Sequence, residues 1–303
     1  MKKRYVAFAV LTAGFLLLAG CSKILYRPAI DNVKSVALIS VYMNRDFYNI
    51  KAPKASESQQ ALTTLKRAVL KETGVQDKLD ETFNVQYLDI VSYAVKKYSE
   101  VLDGMGPFRI EPIDKILSNT SYQNFIGEAN KDQPFASLAT IGAAIKSANW
   151  FTAPNMIHIP ADVFVEKAGQ HIAYIGNTKD PKAEFRSQLA QLCNDLGVDA
   201  VAIIQLDMAY KFPWLSITFN DVRHAVPQVS STLIVVNKNG EVAVNTGLYD
   251  RGKGDYSKGE SVPLLRRKQL FLNDKSVSSY CVAIDKDGNN LKKTLAKAFS
   301  KLK

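Results

Sequence analysis

Apolar residues along this chain fall into two rhythms, and the switches between them outline a fold. Residues 33–42 (VKSVALISVY) are apolar and β-branched with no breaker, the pattern of a buried strand. Residues 44–62 are polar and irregular; 61–70 take up helical spacing, and Gly74 closes that turn. From Asp80 to Gly104, Phe83, Tyr87, Ile90, Val91, Ala94, Tyr98 and Val101 recur with a 3.6-residue period. Asp80 is placed to cap that helix, and Gly104, Gly106 and Pro107 to end it. Residues 108–111 predict a short strand and 114–117 the start of another helix. Residues 133–150 predict a helix apolar on nearly every side, a buried one, with a membrane- or partner-facing helix as the alternative. Residues 151–180 read as short strands and loops. A helix over 181–196 carries the stripe Phe185, Leu189, Leu192, Cys193 and Leu196 and stops at Gly197, where a positive φ suits glycine. Residues 198–206 (VDAVAIIQL) predict a second buried strand, and 214–220 an alternating one. Strands at 231–236 and 242–248 flank Asn239-Gly240, the signature of a type I′ hairpin. Residues 250–262 read as a glycine- and lysine-rich loop. A last strand over 277–284 leads through a turn at Asp285-Lys286-Asp287-Gly288 into a helix from 290 to 302. The mixture predicts one α/β (α+β) domain, a mixed sheet flanked by helices.

Composition agrees with a globular domain. Of 303 residues, 47% are apolar and 22% charged, which excludes a disordered, collagen-like or polytopic membrane chain. A chain of this size needs neither metal nor disulfide to fold. Its first residues are different in kind. Lys2, Lys3 and Arg4 precede an apolar run to Leu18 that falls short of a bilayer span, the pattern of a secretory leader. The run ends in Leu18-Ala19-Gly20-Cys21, which resembles the lipobox of bacterial lipoproteins. That resemblance implies cleavage between Gly20 and Cys21, a diacylglycerol on the Cys21 thiol and an acyl chain such as palmitate on the new amino terminus. Several acyl chains give the stable anchoring that one cannot. The implied organisation is a signal peptide over 1–20, an acylated tether over 21–32 and a domain over 33–303. Ser22 stands where lipoproteins kept in the inner membrane carry Asp, which implies an outer-membrane, periplasm-facing protein. Loss of the leader takes the formal charge from +10 to +7. Because the lysines are scattered, they read as a solubilising surface, with anionic lipid, lipopolysaccharide or wall polymers as the alternative. An envelope location argues against nucleic acid.

The order of elements carries a further resemblance. An opening Lys34 to Leu38 strand, a long helix ending in Gly106-Pro107-Phe108-Arg109-Ile110, and Leu196-Gly197-Val198-Asp199-Ala200-Val201 entering a central strand are similar to one bacterial envelope group. That group includes the curli-secretion lipoprotein, lipoprotein activators of penicillin-binding proteins and the amino-terminal domain of the Tol-system β-propeller protein. The likeness covers about half of the chain and departs in a long insertion at about 118–180. It implies a protein without catalytic residues or cofactor beyond its lipid, acting in envelope assembly or secretion by binding other envelope proteins. An oligomeric secretion channel is the second implication, and homo-oligomers are open under it. The hairpin strands are too short for a membrane barrel, since 214–220 alternates for seven residues and Pro227 interrupts the next run.

Chemistry-bearing motifs are sparse. His158, His171 and His224 are far apart, and neither His-x-x-His nor Cys-x-x-Cys occurs, so no metal site is signalled. Asp285 to Asn289 is like the opening of a calcium loop, but Ala296 stands where the bidentate Glu belongs. There is no Gly-x-Ser-x-Gly elbow, and the Gly252-Lys253-Gly254 loop lacks phosphate-loop spacing. A triad assembled in three dimensions keeps a periplasmic enzyme as an alternative. An oxidising periplasm permits a Cys193–Cys281 disulfide, against which Cys193 also reads as a buried free thiol. Trp150-Phe151 beside Pro154, and Phe212-Pro213-Trp214, are aromatic pairs in loop-like contexts suited to partner contact, with core packing as the alternative.

Overall fold

The computed structural model describes residues 24–45, 47–49, 75–103, 108–131, 150–159, 181–213, 222–247, 256–265 and 274–302. Nine strands are formed: β1 (Ser35–Asn44), β2 (Tyr48–Asn49), β3 (Arg109–Ile110), β4 (Trp150–Thr152), β5 (Ala200–Lys211), β6 (Val222–Asn237), β7 (Val242–Asn245), β8 (Ser257–Lys258) and β9 (Val262–Leu265). The helices are α1 (Val75–Asp103), α2 (Ile113–Leu117), α3 (Thr120–Lys131), α4 (Pro181–Leu196) and α5 (Asp274–Ser300). The main strand order is β3-β1-β5-β6-β7, with β3, β1 and β5 parallel and β6 and β7 antiparallel. The fold is α/β with a mixed sheet, as the two rhythms require.

β1 and β5 are apolar on both faces because helices cover both. On one face Val36, Leu38, Val41, Met43, Ala202, Ile204 and Leu206 pack under α1 and α5. On the other, Ala37, Ile39, Tyr42, Val201 and Ile203 meet Leu189, Leu192, Cys193 and Leu196 of α4, with Ile116 and Tyr122 from α2 and α3. The three-residue step from Leu38 to Val41 on one face reflects a bulge, where the β1–β5 register skips Ile39. The Ile39 carbonyl accepts instead from the Tyr122 hydroxyl at 2.5 Å, and Ile157 N donates to that hydroxyl at 3.3 Å. Tyr122, Ile157 and Ile159 are buried, so these parts of the 118–180 segment, expected as an insertion, belong to the core.

Several expectations are corrected. Residues 277–284 are helical, and α5 runs unbroken through Asp285 to Gly288, where a turn and a new helix were expected. Val277, Val282 and Ile284 read locally as β-branched, but the buried set Ser276, Tyr280, Ile284, Gly288, Leu291 and Leu295 has helical spacing. Gly288 is tolerated because a Cβ there would lie 3.1 Å from Val101 Cγ2 and 3.3 Å from Lys97 Cε, so it lets α1 and α5 approach. α1 begins five residues before Asp80, which therefore does not cap it. β6 runs through Pro227, which pairs opposite Tyr210, so the proline does not interrupt that strand. The hairpin is not type I′. Gly240 N donates to Asn237 O at 2.9 Å, and Gly240 has a φ of 77° while Asn239 does not cross into positive φ. This is a three-residue loop with glycine in the left-handed position. Gly197 has a φ of 67°, as expected of a helix end. The tether is shorter than expected. Leu25, Ala29 and Ile30 are buried, Leu25 bridges Val244, and Asn245 N donates to Ile24 O at 3.0 Å. The chain thus joins the free edge of β7 at Ile24. Cys193 and Cys281 are free thiols in layers on opposite faces of the sheet, so the permitted disulfide is not formed. The expected helices over 61–70 and most of 133–150, and the strand over 214–220, lie outside the described residues.

One buried carboxylate joins three elements. Asp287 of α5 accepts from the Tyr98 hydroxyl of α1 at 2.8 Å, from Ser231 N of β6 at 3.2 Å, and from the Ser231 hydroxyl. Asp287→Ala leaves buried donors without an acceptor and is expected to lower stability by about 2–4 kcal/mol. Asp287→Asn, which keeps an acceptor oxygen, should lose clearly less. Urea denaturation of the two variants checks this ordering.

Candidate functional site

In an α/β sheet, functional groups gather beyond the carboxyl ends of the parallel strands. Here β1 and β5 finish at the same end, joined by the Asn44 side chain. Asn44 Nδ2 donates to Met208 O at 2.9 Å, and Met208 N donates to Asn44 Oδ1 at 2.6 Å. Beyond this clasp stands a band of aromatic and arginine side chains, most of them half-buried. β4 pairs antiparallel with the end of β1 and sets Trp150 and Phe151 beside Asn44 and Met43. Trp150 packs edge-on to Tyr42 at 5.1 Å and stacks on His158 at 6.1 Å. Arg45 Nε donates to Trp150 O at 3.1 Å, and its guanidinium carbon lies 5.7 Å from the Phe151 ring centre. The Tyr87 hydroxyl donates to Arg45 O at 3.0 Å, while its ring meets Phe151 at 5.5 Å and Phe47 at 5.7 Å. Phe47 leads into β2, which pairs with Ala209 and Tyr210 and carries the band onto the end of β5. There Tyr210 packs on Phe212 at 5.4 Å, and the Arg223 guanidinium carbon sits 4.2 Å above the Phe212 ring.

This geometry has a specific use. Each ring is held from one side by the core, which removes rotamer freedom before any partner arrives, and keeps part of its face in water. Arginines stacked on aromatic faces retain charge for a partner's carboxylates or carbonyls. Trp, Tyr and Arg are the residues most enriched at the energetic centre of protein interfaces.

Trp150, Phe151 and Phe212, the expected contact residues, are therefore brought to one end of the sheet, although Trp150 and Phe151 stand in a strand instead of a loop. Trp214, Gly20 and Cys21 lie outside the described residues. Sequence reasoning missed Arg45, Phe47 and Arg223 in this band. A basic or aromatic residue just past the end of a buried strand was the available signal. Tyr87 was visible only as one member of a helical stripe.

The other candidate chemistry is absorbed structurally. Burial pushes the Cys193 thiol up to about 12. Burial and then Asp285 push the Cys281 thiol up to about 11, so neither is a thiolate at neutral pH. Among the described residues no group of three or more His, Cys, Asp or Glu side chains gathers to hold a metal ion. No helix among them is long and apolar enough to cross a membrane. A small cavity of about 200 Å³ opens at the opposite end of the sheet, lined by Pro28, Asn32, Asp199, Asn237 and Lys238. Its carboxylate is engaged: Asp199 accepts from Lys34 N, Ser35 N and the Ser35 hydroxyl, each at 3.1 Å, and from Lys238 Nζ at 3.4 Å. Asn237 Nδ2 donates to Ala29 O and Glu241, both at 3.1 Å. The chain matches no family model, no curated protein and no solved structure.

Asp199 gives the sheet an acid sensitivity whose sign follows from its environment. Burial raises its pKa, but the Ser35 and Lys34 amides, the Ser35 hydroxyl and Lys238 outweigh burial and leave it below the ordinary carboxylate value. The unfolded chain then binds more protons than the folded one as pH falls through the usual carboxylate range. The stabilisation is complete above the unfolded value and is lost as pH falls through the folded one. Asp199→Asn should lower Tm at pH 7 by roughly 3–8 °C. The gap to the parent should narrow as pH falls below about 4. Thermal melts across that range check both the size and the direction.

Proposed function

We propose that this chain is an outer-membrane lipoprotein whose domain binds another envelope protein through the aromatic and arginine band, without catalysing a reaction. The observation that carries the reading is the gathering of Trp150, Phe151 and Phe212 with Arg45 and Arg223 at the carboxyl end of β1 and β5. No second cluster of comparable chemistry occurs among the described residues, where the polar groups of the cavity and the two thiols are committed to packing and backbone bonds. The anchor rests on Leu18-Ala19-Gly20-Cys21, and the short interval between Cys21 and Ile24 supports it, because a lipid there holds the domain itself near the bilayer. Confinement to a surface raises the effective concentration of the domain for any partner in the same membrane, so contacts of modest affinity suffice.

Three variants compared in intact envelopes test the reading. Phe212→Ala should weaken crosslinked co-purification of the partner by about tenfold or more while leaving Tm within about 2 °C of the parent. Trp150→Ala should weaken it similarly and also lower Tm, since Trp150 packs on Tyr42 and His158. Cys21→Ala should keep precursor size and leave the outer-membrane fraction. Undiminished co-purification in both aromatic variants would refute the band as the binding surface.

A further inference from the structure

The second half of α5 carries charge of one sign only. After Asp287 the sequence to residue 303 contains no Asp or Glu, while Lys292, Lys293, Lys297 and Lys301 are all exposed. None of these four forms an ion pair among the described residues. Three of them continue a single flank of the helix. That flank is marked further up by Lys286, whose Nζ donates to Lys258 O at 2.9 Å, and by Asn290, whose amide donates to the Ser257 hydroxyl at 3.2 Å. Steps of three and four residues from Asn290 reach Lys293, Lys297 and Lys301, so they share the side of α5 turned away from α1. The α1 side is occupied by Asp285, bonded to Tyr93 and Lys97, and by Phe299 against Phe108.

The same flank looks toward the edge at which the chain joins the fold. Residues 24–26 run along β7, and Arg27, its side chain half exposed, donates through Nη2 to Leu302 O at 2.6 Å at the end of α5. The nearest acid of this segment, Asp31, is paired with Arg27 Nε at 2.9 Å. Cys21 precedes Ile24 by three residues, a reach of at most about 11 Å. Attraction between basic side chains and anionic head groups fades within a Debye length of about 8 Å, so a charge acts on a membrane only when held this close.

We propose that Lys293, Lys297 and Lys301, with Lys292 and Arg27 beside them, form a membrane-contact face that lays the domain against the anionic lipid surface holding its own anchor. This rests on the anchoring read at Cys21. Charge complementarity selects the occupant, and the short reach brings it within range. The stripe lies toward the end of α5 near Phe108, whereas Tyr280, near the start of α5, donates to Ala209 O beside the aromatic band. Membrane contact at the stripe therefore leaves the band uncovered.

The test uses the protein purified from expressing cells and added to vesicles of phosphatidylethanolamine and phosphatidylglycerol, or of phosphatidylcholine alone. Flotation reads the anchor; amine acylation read lysine by lysine in a mass spectrometer reads the face, with Lys115 and Lys238 as references. The expected result is flotation with both vesicles, and labelling of Lys293, Lys297 and Lys301 reduced about fivefold on the anionic vesicles at low salt and restored at high salt. Lys293→Gln, Lys297→Gln and Lys301→Gln together should float as before and unmask Lys292. Flotation with equal labelling on the two lipids, or protection insensitive to salt, would overturn the contact face and leave the anchor standing. Failure to float with either vesicle would overturn the anchor and the face together.

Discussion

The Asp287 carboxylate is the junction through which the helical layer is held to the sheet. It receives the Tyr98 hydroxyl from α1 and both polar groups of Ser231 from β6, in a site closed to water. Such a carboxylate is costly to bury unless every acceptor position is used, so the pairing specifies one rotation and one height for α5. Gly288 at the next position lets α1 come close enough for Tyr98 to reach. Both surfaces of interest depend on that setting. Upward from Asp287, Tyr280 meets the Ala209 carbonyl at 3.0 Å and supports Phe47, whose ring lies 4.8 Å away, at the aromatic band. Downward, the same rotation turns Lys293, Lys297 and Lys301 toward the β7 edge.

How much of this was legible in the sequence depended on how local each cause is. β1 and β5 declare themselves because both faces are buried and the runs have no breakers. The stripe of α4 and the positive φ of Gly197 are likewise set within a few residues. The first half of α5 reads as a strand in the sequence because Val277, Val282 and Ile284 favour one locally. What makes it helical is a stripe that continues through Asp287 and Gly288, two residues that look like a turn until Ser231 and Val101 are placed against them. The bulge at Ile39 was invisible for a related reason. Its carbonyl is satisfied by Tyr122, more than eighty positions away along the chain. The band shows both cases. Trp150, Phe151 and Phe212 stand out by type and context, whereas Arg45 and Arg223 acquire meaning only when β4 and β6 bring rings beneath them.

The two ends of the sheet therefore have different work in the proposed reading. Asp199, Asn237 and the Gly240 loop close one end with backbone-directed hydrogen bonds, and the chain passes there from the β7 edge into β1. The other end presents rings restrained from behind and arginines stacked on them. A domain held to lipid along the β7 edge, beside the basic flank of α5, would direct that second end to proteins of the same envelope layer.

Site-specific photocrosslinking in intact envelopes tests the central claim most directly, with the photoreactive residue placed at Phe151, at Phe212, or at Asn239 on the opposite end. The account predicts adducts of one common size from positions 151 and 212 and none of that size from 239. Adducts from 239 alone, or the same adducts from all three positions, would contradict it.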